Sequence, residues 1–294
     1  MNTIEARGLI RFYGGTRGVA GLDLDVPEGT VMGLLGLNGS GKTTAIKLLL
    51  GHLVPNSGTV RVWGEDPVEL YAATRSRIAY VADEAELPHW MTLKEGMELY
   101  ASYFPQWNAD NADDLIKRFA LPMDQRFSTL SKGQKRRFFL CLAVAQQPDL
   151  LVLDEPAGGL DPVIRRDFLD LLMELRSARD VTILLSSHIL SDVERIVDRV
   201  AFIHEGKCLL QDELETLKSR VKRLCIKDEA AKARIRARFD VISTRTIGDT
   251  TQIHVSNFQE SKLEGIHCSL EQLNLEDIFL AYNGEQSTDA VRQR

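Results

Sequence analysis

No stretch of this sequence approaches the roughly 20 consecutive apolar residues that a bilayer-spanning helix requires. The longest apolar runs, around 48–50 and 150–153, have the length of a strand or a short buried helix. If the chain serves a membrane process, another polypeptide must supply the span. The opening MNTIEARGLIRFYGG has no apolar core of the kind that marks a secretory signal. Cysteine is scarce: Cys141, Cys208, Cys225 and Cys268 stand far apart without a CxxC pair, which excludes a zinc ribbon or a disulfide frame. Reduced thiols in a cytosolic protein are the expectation. A cationic excess is missing as well, since 36 Lys and Arg face 42 Asp and Glu for a formal charge of −6. That balance argues against nucleic acid as the main partner, because a phosphate backbone needs a cationic face. Low-complexity tracts and long-period repeats are also lacking.

What is present is the composition of a globular chain, 44% hydrophobic and 27% charged over 294 residues. Short β-like runs at 3–9, 21–26 and 30–35 surround a turn at 27–29. A glycine-rich stretch at 36–41 precedes residues 42–50, which have helix composition. Strands follow at 59–62 and 77–81. From about 84 to 148 the apolar spacing becomes helical, at 93–104, 112–119 and 133–146. Runs at 150–153 and 181–186 read as buried parallel strands separated by a helix at 163–176. A further strand at 199–204 ends in a turn at 205–206. Strand, helix, strand in succession implies right-handed crossovers and a mainly parallel sheet. Beyond about 217 the texture changes to a small α/β appendage, with strands at 250–255 and 263–270 and a small amphipathic helix at 273–282. The polar end, 285–294, reads as a disordered tail. The expected fold class is therefore α/β: a P-loop NTPase sheet core with an N-terminal β-subdomain and a helical insertion at about 84–148, occupying 1–216, plus a C-terminal α/β domain at 217–284.

Gly36, Leu37, Asn38, Gly39, Ser40, Gly41, Lys42 and Thr43 fit GxxxxGK[ST], after an apolar strand and at the start of a helix. The glycines allow backbone conformations that turn successive N–H groups inward onto phosphate. The helix N-terminus adds partial positive charge. Lys42 reaches the β- and γ-phosphates, the Thr43 hydroxyl can ligate Mg²⁺, and Thr44 joins the nucleotide contacts. This loop alone denotes a phosphate-binding NTPase.

The apolar strand 150–153 ends in Asp154 and Glu155, at the strand end where ligands gather in parallel sheets. Asp154 is placed to hold Mg²⁺ directly or through water, and Glu155 to align the attacking water. Read alone, the pair is equally a strand ending in solvated acids. Leu130-Ser131-Lys132-Gly133-Gln134 stands before a helix that Ser131 can cap, an anion-binding arrangement.

In this order and spacing, residues 3–215 resemble the ABC ATPase family. Gly36–Thr43 resembles Walker A, 150–154 Walker B, and Glu155 the catalytic glutamate. Leu130–Gln134 is similar to the LSGGQ signature, with Lys132 at the usual second-last glycine. Tyr13 resembles the aromatic that stacks on adenine, though by itself it is also a plain aromatic near a turn. Gly158-Gly159-Leu160-Asp161 resembles the D-loop, and His188, after Leu184-Leu185-Ser186-Ser187, the switch histidine, which read alone could be a bonded core histidine. The resemblance implies ATP and Mg²⁺, with nucleotide held between the P-loop of one subunit and Ser131, Gly133 and Gln134 of another. A single motif set must then pair with a second chain, as a homodimer or heterodimer. Asp161 would couple the two sites, and His188 would bond the γ-phosphate.

In the family a glutamine follows the strand at 78–82; here Asp83 stands there, followed by Glu84. Four readings of Asp83 stay open: a metal ligand, a charge that misplaces the water and slows hydrolysis, a position yielded to Glu84, or a solvated acid. LPHWMTLKE, FPQWN, LSKGQKRR and LEDIFLAYNG resemble the ATPase subunits of the ABC-2 exporter group. That implies a separate transmembrane permease, export of a drug, peptide or lipid-like substrate, and a peripheral place on the inner face of the bacterial membrane. Trp90, Tyr100, Tyr103, Phe104 and Trp107 are candidate permease anchors or simply the insertion's own core. The basic run from Lys218 through Arg223 and Lys232 to Arg238 is either a face for anionic lipid, at about 1 kcal/mol per charge near the surface, or a solvated helix face.

Overall fold

The computed structural model describes residues 1–292 of the 294. β1 (Asn2–Tyr13) and β2 (Thr16–Pro27) form an antiparallel hairpin; β3 (Val31–Leu35) then leaves it, α1 (Lys42–Leu49) follows, and β4 (Ser57–Val62) returns to the free side of β1. The resulting three-stranded sheet has the order β2-β1-β4. After the short α2 (Ala72–Arg75) comes β5 (Ile78–Val81), and after the insertion come β6 (Leu150–Leu153), β7 (Thr182–Ser187), β8 (Arg199–His204) and β9 (Lys207–Glu213). These build a six-stranded sheet, β5-β6-β7-β3-β8-β9, parallel throughout except for β9 on β8.

Every residue of β3, β6 and β7 is buried, as expected of apolar strands covered on both faces. Alternation decides which cover each side chain meets. Met32, Leu34, Leu150, Val152 and Leu184 pack with Ile46 and Leu48 of α1 beneath the N-terminal sheet. Val31, Leu35, Leu151, Leu153 and Ile183 pack on the opposite face with Phe138, Phe168 and Phe202. Leu35 pairs with Ser187 and Leu153 with Leu185, so the loops leaving β3, β6 and β7 emerge side by side.

The insertion holds α3 (Leu93–Ala101), α4 (Ala109–Arg118) and α5 (Lys132–Ala145), and α6 (Pro162–Ala178) follows β6. Local chemistry sets their starts. Thr92 and Glu95 cap α3 reciprocally, Asn108 accepts from the Asn111 N–H at α4, and Ser131 and Gln134 form the same box at α5. Of the insertion's aromatics, Tyr100, Phe104 and Trp107 form a cluster with ring centres 4.7 and 6.1 Å from Tyr100, whereas Trp90 and Tyr103 are 66% and 70% exposed. The five residues therefore divide between core and surface.

Past α7 (Leu190–Val193) and α8 (Leu214–Arg220), strands β10 (Lys222–Ile226), β11 (Val241–Ile247), β12 (Thr250–Val255) and β13 (Ser269–Gln272) form an antiparallel sheet of order β11-β12-β10-β13. α9 (Glu229–Arg238) lays Ala231 and Ile235 on Leu224, Ile226, Ile253 and Val255. Three expectations need correction here. The strand expected at 263–270 is confined to β13, because Gly265 at φ 72° and the Ile266 N–H to Leu263 O turn interrupt the run. The helix expected at 273–282 is α10 (Leu275–Arg292), and it is not confined to the appendage: Leu275, Ile278 and Phe279 join the main core, with Phe279 edge-on to Phe202 at 5.2 Å. The same helix carries through 285–292, where a disordered tail was expected; Glu285, Gln286, Ala290 and Arg292 suit a helix, and no proline interrupts it. The last two tail residues, Gln293 and Arg294, lie outside the described residues. The basic run is largely tied down: Lys218 pairs with Glu194, Arg220 with Asp212, Arg223 with Glu271 and Asp277, and Arg234 and Arg238 donate to carbonyls at 262–265. Intramolecular pairing favours the solvated face over a lipid-facing one.

Because α10 buries its aromatic stripe in the main core, Phe279→Ala should cost about 3–5 kcal/mol. Urea unfolding should show the midpoint falling for the whole chain; a shift confined to a separate C-terminal transition would contradict the shared core. Burial pushes the Cys141 thiol up to about 12, so this residue should resist iodoacetamide in the native protein at pH 8, as read by mass spectrometry, and react on unfolding.

Candidate active site

The loop between β3 and α1 is closed by contacts that only glycine permits. Gly39 and Gly41 have φ of 78° and 106°. A Cβ on Gly41 would strike the carbonyl of Gly18, and one on Gly36 would lie 2.5 Å from the carbonyl of Ile203. The Gly206 N–H donates to Ser40 O at 2.8 Å, tying the loop to the turn after β8. Gly41 caps α1 in left-handed backbone, so the free N–H groups of the first helical turn open onto the loop. Thr43 is exposed at that end and Thr44 half-buried. Leu37, Asn38 and Gly39 form the exposed lip, with Leu37 at 55% exposure. Tyr13 is exposed at the end of β1, and its ring and the Thr44 methyl both stand against Gly18, so the three residues share one corner beside the loop. The Arg11 guanidinium lies 5.4 Å from the centre of the Tyr13 ring.

Lys42 is buried, and its direction is set by three oxygens. Nζ donates to Gly36 O at 2.8 Å and Leu37 O at 3.2 Å, and it pairs with Glu155 Oε1 at 3.0 Å. The other oxygen of Glu155 accepts from His188 Nδ1 at 2.7 Å. One carboxylate therefore links the ends of β3, β6 and β7, which is what the register of those strands makes possible.

Asp154 is 1% exposed. Its Oδ1 accepts the Ser186 hydroxyl at 2.6 Å, while Oδ2 is buried with no hydrogen-bond partner. Buried carboxylate oxygens are normally satisfied, and an orphaned one beside a phosphate loop fits a hard divalent cation, which binds through oxygen. The donor set is suitable: Asp154 with the hydroxyl of Thr43. Burial, with the added negative charge of Asp154 and Asp83, pushes the Tyr80 phenol up to about 12, so it stays a neutral neighbour of these acids.

Glu155 stands at φ 48°, in left-handed backbone that non-glycine residues seldom adopt. Both of its peptide groups are pinned. Its N–H donates to Ser186 Oγ at 2.9 Å. Its carbonyl accepts from the Gly158 N–H at 3.1 Å and from Arg136 Nη1 at 2.9 Å. Ser186 and Arg136 escaped the sequence reading as site residues. The signal was available: a serine directly after the apolar run 183–185 of β7, and an arginine placed on the buried side of α5.

Asp83 is occupied in a way none of its four readings anticipated. Its Oδ1 accepts from Arg136 Nη2 on the helix that follows the signature segment. The signature segment itself lies apart: Ser131 is exposed, and Gln134 spends its amide oxygen on the Ser131 N–H at 2.8 Å. Asp161 caps α6 by accepting from the Val163 and Ile164 N–H groups. Among the described residues, no hydrogen bond joins 130–134 to the phosphate loop.

Comparison with known proteins agrees with this geometry. The family model for ABC transporters matches residues 19–158. The daunorubicin/doxorubicin resistance ATP-binding protein of Streptomyces peucetius is 32% identical, covering 97% of this chain and 94% of its own length. The Nod factor export ATP-binding protein I of Paraburkholderia xenovorans is also 32% identical, over 97% of this chain and 98% of its own. A solved ATP-binding subunit of an ABC transporter superposes with a TM-score of 0.66 at 28% identity, covering 74% of this chain and 92% of that one. A phosphate loop beside the acids that end β6, together with these relatives, means that the chain belongs to the ABC transporter family as an ATP-binding, ATP-hydrolysing subunit.

Proposed function

We propose that this chain is the engine of an exporter: it dimerises around two ATP molecules and drives a separate permease of the ABC-2 type, on the inner face of the cell membrane. The observation that carries the reading is the contact chain Lys42–Glu155–His188 at the mouth of the phosphate loop. Lys42 is aimed to exchange its carbonyl and carboxylate partners for phosphate oxygens. Glu155, released toward the γ-phosphorus, accepts a hydrogen bond from the attacking water and aligns it. His188, bonded to the same carboxylate, steadies it and bonds the γ-phosphate in turn. Asp154 and Thr43 would hold Mg²⁺, whose chemistry is to neutralise charge on the transferring phosphoryl group.

The separation of 130–134 from the phosphate loop supports dimerisation. Ser131 is exposed and Gly133 and Gln134 are half-buried beside it, where a second copy could present its nucleotide, and Asp161 stands at the start of α6 beside the turn that follows Glu155. Tyr13 supports adenine from its corner by Gly18. Docking to a permease is supported by the exposed Trp90 and Tyr103 on the insertion, and by the fact that, among the described residues, no helix is long and apolar enough to cross a membrane. The outward direction of transport rests on the relatives, one named for Nod factor export and one for daunorubicin/doxorubicin resistance.

Glu155→Gln should lower ATP turnover by about 100-fold or more and leave ATP binding intact. Gel filtration in ATP and Mg²⁺ should then show a dimer; unchanged turnover would remove Glu155 from the chemistry. Ser186→Ala deletes the partner of both Asp154 and the Glu155 N–H. It should cost about 1–3 kcal/mol of stability, read by denaturant melts, and lower kcat.

A further inference from the structure

Arg136 is 8% exposed and lies against the turn that follows β6. Nη1 donates to the carbonyls of both Glu155 and Gly158, and Nη2 donates to Asp83. Glycine at 158 leaves room for this: a Cβ there would come within 3.1 Å of Nη1. The carbonyls fix where the guanidinium sits but carry no net charge, so a buried cation still lacks a counterion. Asp83 supplies it. The Asp83 side chain is 41% exposed, so its removal leaves the buried guanidinium without its carboxylate at a cost that solvent reduces.

The carbonyl that Arg136 holds belongs to the residue whose backbone is left-handed. Residues in such conformations persist only where the surroundings over-determine them. Ser186 fixes the N–H side of Glu155 and Arg136 the carbonyl side. Loss of Arg136 leaves the Glu155 carbonyl with the Gly158 N–H alone, which loosens the turn at 155–158 and with it the direction of the Glu155 carboxylate.

We propose that Arg136 is a positioning residue for hydrolysis, clamping the turn that aims Glu155, and that Asp83 serves as its counterion and not as a cation ligand. The proposal rests on the reading of Glu155 as the group that aligns the water. It also accounts for the acid at position 83: an amide there could accept a hydrogen bond from Arg136 but could not neutralise it.

The test compares the full chain with Asp83→Asn, Arg136→Gln, Arg136→Lys and the double variant Asp83→Asn/Arg136→Gln, with Glu155→Gln as reference. Three quantities are measured: ATP turnover with its KM, Mn²⁺ affinity in the presence of ATP by electron paramagnetic resonance, and amide hydrogen exchange across 154–161. Arg136→Gln should lower kcat about tenfold or more with KM within about twofold, the pattern of misplaced chemistry and not of weakened binding. Asp83→Asn should lower kcat less, and the double variant should fall no further than Arg136→Gln, because both act through one clamp. Arg136→Lys restores the charge without the forked donors and should recover turnover only in part. Exchange at Gly158 and Leu160 should quicken in Asp83→Asn and Arg136→Gln, with Mn²⁺ affinity unchanged. If Asp83→Asn weakens Mn²⁺ about tenfold and leaves exchange at 154–161 as it was, Asp83 is a cation ligand and the proposal is overturned. If Arg136→Gln leaves both kcat and exchange unchanged, the clamp is idle. Should Glu155→Gln itself keep full turnover, the reading of Glu155 fails separately, and exchange together with Mn²⁺ affinity still decides whether the Arg136–Asp83 clamp exists.

Discussion

At Glu155 the chain leaves the buried strand β6 through a backbone angle that an L-residue resists, and the arrangement of the proposed site depends on its being held there. Such a conformation costs on the order of 1–3 kcal/mol, so it must be opposed on both sides. The neighbouring strand β7 contributes Ser186 and the helix α5 contributes Arg136. The side chain that this turn presents then meets Lys42 from the loop after β3 and His188 from the end of β7. Three stretches far apart in sequence, at 42, 136 and 186–188, thus converge on one residue.

Charge is balanced in the same place. Lys42 and Arg136 are both buried cations, and each has a carboxylate of its own, Glu155 for the first and Asp83 for the second. The two pairs meet at the backbone of Glu155, since Arg136 holds its carbonyl while Lys42 holds its side chain. Asp154 stands outside both pairs, bonded to a neutral hydroxyl, with one oxygen left over. That difference separates the acid suited to a cation from the acids engaged with the protein's own side chains.

The C-terminal region is bound to this machinery through packing more than through charge. Its sheet has a small core of its own under α9, but α10 runs back and places Phe279 against Phe202 of β8. The Leu275 N–H donates to Glu194 just after α7, at the other end of the same contact. Because β8 lies beside β3 in the sheet, a helix at the end of the chain is only one strand away from the one that carries the phosphate loop.

The phosphate loop, the acids after β6, the capped signature helix and the parallel order of the core strands were all legible in the residues. These features are local: a glycine is needed where the backbone turns left-handed, a Ser–Gln pair caps the helix that follows it, and an apolar run ending in acids is a buried strand with an exposed end. The structure was needed for what depends on partners distant in sequence. Whether Asp83 faces a cation, water or a guanidinium could not follow from its place after β5, because Arg136 lies 53 residues further on. The return of α10 to the main core was equally hidden, since an amphipathic helix declares that it has an apolar face but not which surface covers it. Local propensity and spacing determined the elements and the chemistry of the loop; tertiary packing alone decided which buried charge answers which, because a desolvated cation takes the carboxylate that the fold brings within reach.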